Sequence, residues 1–261
     1  MEAITIPAIP PRATGRVRPI LALRGLVRVL FDPEDTEAGA LFVRATDGAQ
    51  PERNFQRFAA DPIGARILAE GRSLPALLCD RDGLRARPSG SLARRYLAFV
   101  EEESISAEGL TEATAPVRLK LGAADPARIL FEDRLSVMHD LWHVLLGYSR
   151  DILGEVQVLA FSHEQLHTRA FGWLLSFGAF FNERQAPGTR ALIALARERA
   201  RRAPWFPALD WESLLPQPLD RIRESLQVGS PPHYRRYFKD PHGFGLVAEP
   251  ETADRHALQE S

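Results

Sequence analysis

The stretch "HDLWHVLLGYSRDILGE", residues 139–155, decides the fold. Each residue of an α-helix advances about 100°, so His143 lies roughly 40° from His139, with Asp140 about 60–100° from the two. The segment therefore presents two imidazoles and a carboxylate on one helical face. Gly147 is a natural helix stop, and Asp151 is placed to cap a second helix after Tyr148, Ser149 and Arg150. The pattern predicts an αα-hairpin with a short turn. His143 stands four residues before Gly147 and Glu155 four residues after Asp151, so both lie about 6 Å from the turn. Glu155 is then positioned to face His143 across the two helices. His139, Asp140, His143 and Glu155 form a two-imidazole, two-carboxylate set suited to Zn²⁺ or another divalent ion. Glu155 also interrupts the apolar run "ILGEVQVLAF", where a carboxylate without a partner is costly to bury.

A second pair of histidines follows in "SHEQLH", residues 162–167, a literal H-E-x-x-H. In zinc peptidases this pattern supplies two metal ligands and a general base, here His163, His167 and Glu164. The chain is expected to continue through it as one helix over 151–182, leaving no early turn to bring in a third ligand. His163 lies eight residues beyond Glu155, about 12 Å along the helix, so one ion does not serve both clusters. The expectation is a packing or outer face, with a metallohydrolase using "HEQLH" as an alternative.

Outward from this centre, helical periodicity dominates and alternating strand patterns are almost absent. Helices are expected over 20–31 and 34–46, where Asp32 and Pro33 supply a cap and a first turn. Others are expected near 51–60, 62–71, 89–104, 132–146 and 189–202. Helix 89–104 carries Leu92, Tyr96, Leu97 and Val100 on one face. Residues 104–131 read as a connection with one short helix, and "DWESLLPQPLDRIRESLQV" as Pro-interrupted helical turns. The fold class is all-α. Residues 1–19 form an N-terminal extension, 20–228 one helical domain, and 229–261, rich in Pro, Gly and charge, a partly ordered tail.

The chain of 261 residues is 45% apolar and 26% charged, enough for a sizeable core. A net charge of −1 gives no electrostatic basis for nucleic-acid binding. The single cysteine, Cys79, excludes an internal disulfide and a thiolate-rich metal site. The opening residues lack the apolar core of a secretory signal. "RVRPILALRGLVRVL" is basic and amphipathic, reading first as a domain helix and second as a transit or membrane-surface segment. "FGWLLSFGAFF" is too short to span a bilayer unaided.

"HDLWHVLLGYSRDILGE" fits the H-D-x-x-H-x₁₁-E signature of the coenzyme Q (ubiquinone) biosynthesis protein 4 family, and the chain resembles that family over roughly residues 20–228. "ALRGLVRVLFDPEDTEAGALF" is similar to its opening helices, "SGSLARRYLAFVEEESIS" to its middle helix, and "DWESLLPQPLDRIRESLQV" to its closing segment. Ala93 stands where the family pattern has glycine. The resemblance implies an all-α protein with a lipid-binding groove, associated peripherally with the inner face of a membrane (cytoplasmic in a bacterium, the matrix side in mitochondria). It implies a divalent metal, Zn²⁺ first, on His139, Asp140, His143 and Glu155. The implied activity is that of a metal-dependent lyase, an oxidative decarboxylase that removes the carboxyl at ring carbon 1 of a polyprenyl hydroxybenzoate with hydroxylation there. Asp140 or Glu155 is the expected proton-moving group. Implied partners are isoprenoid lipids and the other ubiquinone-biosynthesis enzymes. An exposed apolar helix face would suit a homodimer. A non-catalytic lipid-binding scaffold is the alternative within the family.

Overall fold

The computed structural model describes residues 17–18, 20–22, 24–25, 28, 36–103, 125–240 and 245–249. Among the described residues, ten α-helices lead to the closing segment: α1 (Thr36–Asp47), α2 (Gln50–Ala60), α3 (Pro62–Glu70), α4 (Leu74–Cys79), α5 (Arg81–Arg85), α6 (Leu92–Glu102), α7 (Pro126–Leu146), α8 (Ile152–Leu166), α9 (Arg169–Gln185) and α10 (Thr189–Arg202). A 3₁₀ turn at Phe206–Ala208 and the short helices α11 (Trp211–Leu214) and α12 (Leu219–Ser225) follow. The sheet among the described residues is an antiparallel pair, β1 (Tyr237–Lys239) with β2 (Leu246–Ala248). The architecture is all-α, as the periodicity predicts.

Local chemistry sets most boundaries. Asp61, Ser73, Asp80, Ser91, Asp125 and Asp151 each cap a helix by accepting backbone N–H bonds. Gly71 and Gly147 end α3 and α7 in the left-handed conformation. The core gathers around α7. Trp142 meets Phe161 of α8 and Phe206 edge-on, with ring centroids 5.7 and 5.6 Å apart, and Phe206 in turn meets Trp211 at 5.7 Å. Leu92, Tyr96, Leu97 and Val100 all point into this core, as the spacing on α6 requires. Arg134 is fully buried, held by Glu212 at 2.6 and 2.8 Å and by the Leu209 carbonyl at 2.9 Å. This forked pair ties α7 to the closing segment.

Two expectations need correction. α7 starts at Pro126 rather than residue 132, because Asp125 caps it and Pro126 takes its first position. The helix expected over 151–182 is two helices, α8 and α9, broken at His167, which adopts φ 53°. The break has no glycine or proline; it is held from a distance. Asn54 of α2 donates to the Leu166 carbonyl at 2.9 Å, and Asp47 of α1 accepts from the Ala170 N–H at 3.0 Å. α4 and α5 are too short to show periodicity, and the tail contributes a β-hairpin. Most of the 20–31 helix, the Asp32–Pro33 cap and residues 104–124 lie outside the described residues. No described helix is long and apolar enough to cross a membrane.

Candidate metal centre

α7 and α8 form the predicted hairpin. Gly147 turns the chain with φ 72°, and Asp151 caps α8 through the Leu153 N–H at 3.0 Å. His139 and His143 project from the last two turns of α7, and Glu155 from the first turn of α8. Their donor atoms converge. The two Nε2 atoms are 3.1 Å apart, and each lies 3.4 Å from a Glu155 oxygen. Ligand atoms of all three residues fall within 4.8 Å of one another.

His143 is buried, 1% exposed, and stacks on Phe99 with centroids 5.6 Å apart. Its Nδ1 lies 3.0 Å from the Tyr148 carbonyl, an acceptor only, so Nδ1 carries the proton and the Nε2 lone pair faces His139. Burial alone would raise the Glu155 carboxyl, but the adjoining His139 and His143 imidazoles overcome it and hold it well below the usual carboxylate range. Burial opposes charge on His139, and the Glu155 carboxylate outweighs that opposition, raising the imidazole above its ordinary value. Two ring nitrogens head-on beside a carboxylate require a proton or a cation between them. The donor set, two imidazoles and a carboxylate, is that of a divalent-metal site with an open position.

Asp140, the fourth predicted ligand, is 6% exposed and lies outside this three-residue convergence. Burial pushes its carboxyl up, and the neighbouring His139 and His143 partly counter that push. Arg150, in the turn, reaches Glu155 at 3.6 Å and Glu103 at 4.0 Å. It borders a cavity of about 260 Å³ lined also by Ser149, Asp151, Arg236 and Phe238. Arg199 donates to the Leu146 carbonyl at 3.1 Å, and Arg223 to those of Leu145 and Val144 at 2.8 and 3.1 Å, satisfying the free carbonyls at the end of α7. Reading the sequence missed Arg150, Arg199, Arg223 and Phe99. Only Phe99 leaves a trace there, three residues after Tyr96 on the inward face of α6.

"HEQLH" sits where α8 ends. His163 Nδ1 pairs with the Thr168 carbonyl at 2.9 Å. Glu164 accepts from Arg197 at 2.6 Å and from Arg201 at 3.3 Å, tying α8 to α10. Burial works against its charge, but the two guanidinium groups hold its carboxyl below the usual range. His167 lies outside the helix in the left-handed conformation, so the two histidines do not share a helical face. The chain does turn after this motif, contrary to expectation. What argues against a peptidase centre is the engagement of Glu164 and the displacement of His167.

The family model described as "Coenzyme Q (ubiquinone) biosynthesis protein Coq4" matches residues 13–232. A bovine mitochondrial protein named ubiquinone biosynthesis protein COQ4 homolog is 29% identical over 215 residues, covering 82% of this chain and 78% of the bovine protein. Its mouse counterpart is 33% identical over 184 residues, covering 67% of this chain and 64% of the mouse protein. A crystal structure from Nostoc punctiforme, of a protein provisionally named for ubiquinone biosynthesis, superposes with a TM-score of 0.59 at 20% identity. It covers 82% of this chain and all of the Nostoc chain, and supports the shared fold.

Proposed function

The chain belongs to the Coenzyme Q (ubiquinone) biosynthesis protein Coq4 family, and on that premise we propose that it is a metal-dependent lyase of the pathway. The observation that carries this reading is the convergence of His139, His143 and Glu155. These residues would hold a divalent ion, Zn²⁺ first, with Asp140 as the nearby fourth carboxylate. A cation bound there supplies Lewis acidity, holding a carboxylate or phenolate oxygen and stabilising negative charge on an aromatic ring.

The substrate in this reading is a polyprenyl hydroxybenzoate. Exchange of its carboxyl at ring carbon 1 for a hydroxyl whose oxygen comes from water releases carbon dioxide, two protons and two electrons, so an external two-electron acceptor is consumed. Glu155, held ionised by the histidines, serves as a ligand. Asp140, whose affinity for a proton burial raises, is the better group to carry one. The Tyr148 carbonyl keeps His143 in the tautomer that offers Nε2. The isoprenoid tail keeps the substrate in a bilayer, so the protein works at a membrane surface alongside the other enzymes of the pathway.

The purified chain is expected to carry about one divalent ion, lost on His139→Ala or His143→Ala and kept on His163→Ala. Glu155→Gln is expected to fold and yet fail to restore quinone synthesis in a deficient strain. A folded Glu155→Gln protein that restores it would favour the scaffold alternative and contradict the lyase.

A further inference from the structure

We propose that Tyr234, in the segment beyond the family-matched residues, is a positioning residue of the metal centre that sets the orientation and tautomer of His143 through a single peptide group. The inference rests on the metal-binding reading of the hairpin. The peptide between Tyr148 and Ser149 is the link. Its carbonyl accepts the Nδ1–H of His143 at 3.0 Å, and its N–H donates to the Tyr234 hydroxyl at 3.1 Å. A trans peptide is planar, with N–H and C=O pointing in opposite directions, so fixing one end fixes the other.

The relay ends on a charge. The Tyr234 hydroxyl donates to Asp151 Oδ2 at 3.0 Å, and the Ser149 hydroxyl, 2.9 Å from Tyr234, reaches the same oxygen at 2.6 Å. Reading outward, His143 is bonded to a peptide, the peptide to a phenol and the phenol to a carboxylate. Chains of hydrogen bonds polarise one another, and a carboxylate behind a ligating histidine fixes its tautomer and strengthens its donation. Here a peptide and a phenol stand between the two.

The same tail fixes the second metal-bearing helix. Asp151 Oδ1 caps α8, which carries Glu155, and also accepts the Tyr237 N–H at 3.1 Å. The contact is close on both sides of the turn. A Cβ on Gly147 would lie 2.4 Å from Pro231, and one on Gly154 would lie 2.8 Å from the Tyr234 hydroxyl. Residues 231–237 thus brace the turn, and Tyr234 is the side chain that reaches the peptide behind His143.

The test is Zn²⁺ titration of the full chain, with the visible absorption of the Co²⁺-substituted protein as the spectroscopic readout. Tyr234→Phe keeps the ring and removes the relay. It is expected to weaken Zn²⁺ binding about tenfold and to shift the Co²⁺ bands, with the metal-free protein melting close to wild type. Glu164→Gln, which loosens α8 from α10 away from the centre, should leave affinity and spectrum unchanged. Wild-type affinity and an unaltered spectrum in Tyr234→Phe would overturn the proposal while leaving the metal reading intact. Equal weakening by Glu164→Gln would also overturn it, because the effect would then be one of general stability. A wild-type chain that binds neither ion would overturn the metal reading, and this proposal with it.

Discussion

Two stretches of this chain place histidines four residues apart with an acid between them, and the protein uses them differently. In "HDLWH" the helix runs on past the second histidine to Gly147, and the next helix returns Glu155 to 3.4 Å from each imidazole. In "HEQLH" the helix ends before the second histidine, and the acid faces Arg197 and Arg201 instead. The first arrangement gathers lone pairs and negative charge around one point. The second closes an ion pair between helices. Spacing brings two imidazoles onto a face only while the helix lasts, and what stands across the interface decides whether that face can take a cation.

The largest difference is expected in metal content. His143→Ala should abolish stoichiometric zinc while His163→Ala retains it, measured by elemental analysis of purified protein. Zinc lost equally from both variants would break the comparison.

The next effect concerns the helix break that takes His167 away. Burial raises the Asp47 carboxyl to about 6, so stability falls as pH rises from the unfolded value of 3.8 through that point and stays lower above it. Asp47→Asn keeps an acceptor for the Ala170 N–H and removes the buried charge. It should stabilise the fold by roughly 1–2 kcal/mol at pH 8, with the gain vanishing below about pH 4, in denaturant melts. Destabilisation at pH 8 would show that the charge itself holds the N-terminus of α9.

The smallest effects distinguish the two acids. Glu164, held low by arginines, contributes stability above pH 4.5 that is lost as pH falls, with no corresponding loss on the alkaline side. Glu164→Gln should cost about 0.5–1 kcal/mol at neutral pH, and the difference should close in acid. In the metal-free protein the His139–Glu155 pair behaves otherwise. Glu155, held low, stabilises above its unfolded value of 4.5, and His139, raised, stabilises fully below 6.5 and loses that contribution as pH rises through its folded value. Its contribution should therefore peak between about pH 4.5 and 6.5, and Glu155→Gln should flatten that peak in melting curves recorded with chelator. A pH profile identical to that of Glu164→Gln would contradict the different environments described for the two acids.

The hairpin was legible because its signals are local. Gly147 stops one helix, Asp151 starts the next, and counting from the turn places His143 opposite Glu155. The helix break at His167 was not legible, since Asp47 and Asn54 impose it from more than a hundred residues away. α4 and α5 are shorter than the window in which periodicity can speak. Asp140 shares the helical sector of His139 and His143 by angle, yet the three-residue convergence forms without it, because angle alone does not measure reach. Tyr234 left no trace at all: its role depends on a tail folding back against a turn some eighty-five residues earlier.

The most direct measurement is anomalous X-ray scattering at the zinc edge from crystals of the full chain grown with Zn²⁺. The account predicts a peak at the α7–α8 turn, bonded by His139, His143 and Glu155. A peak at His163, or none near Glu155, would contradict it.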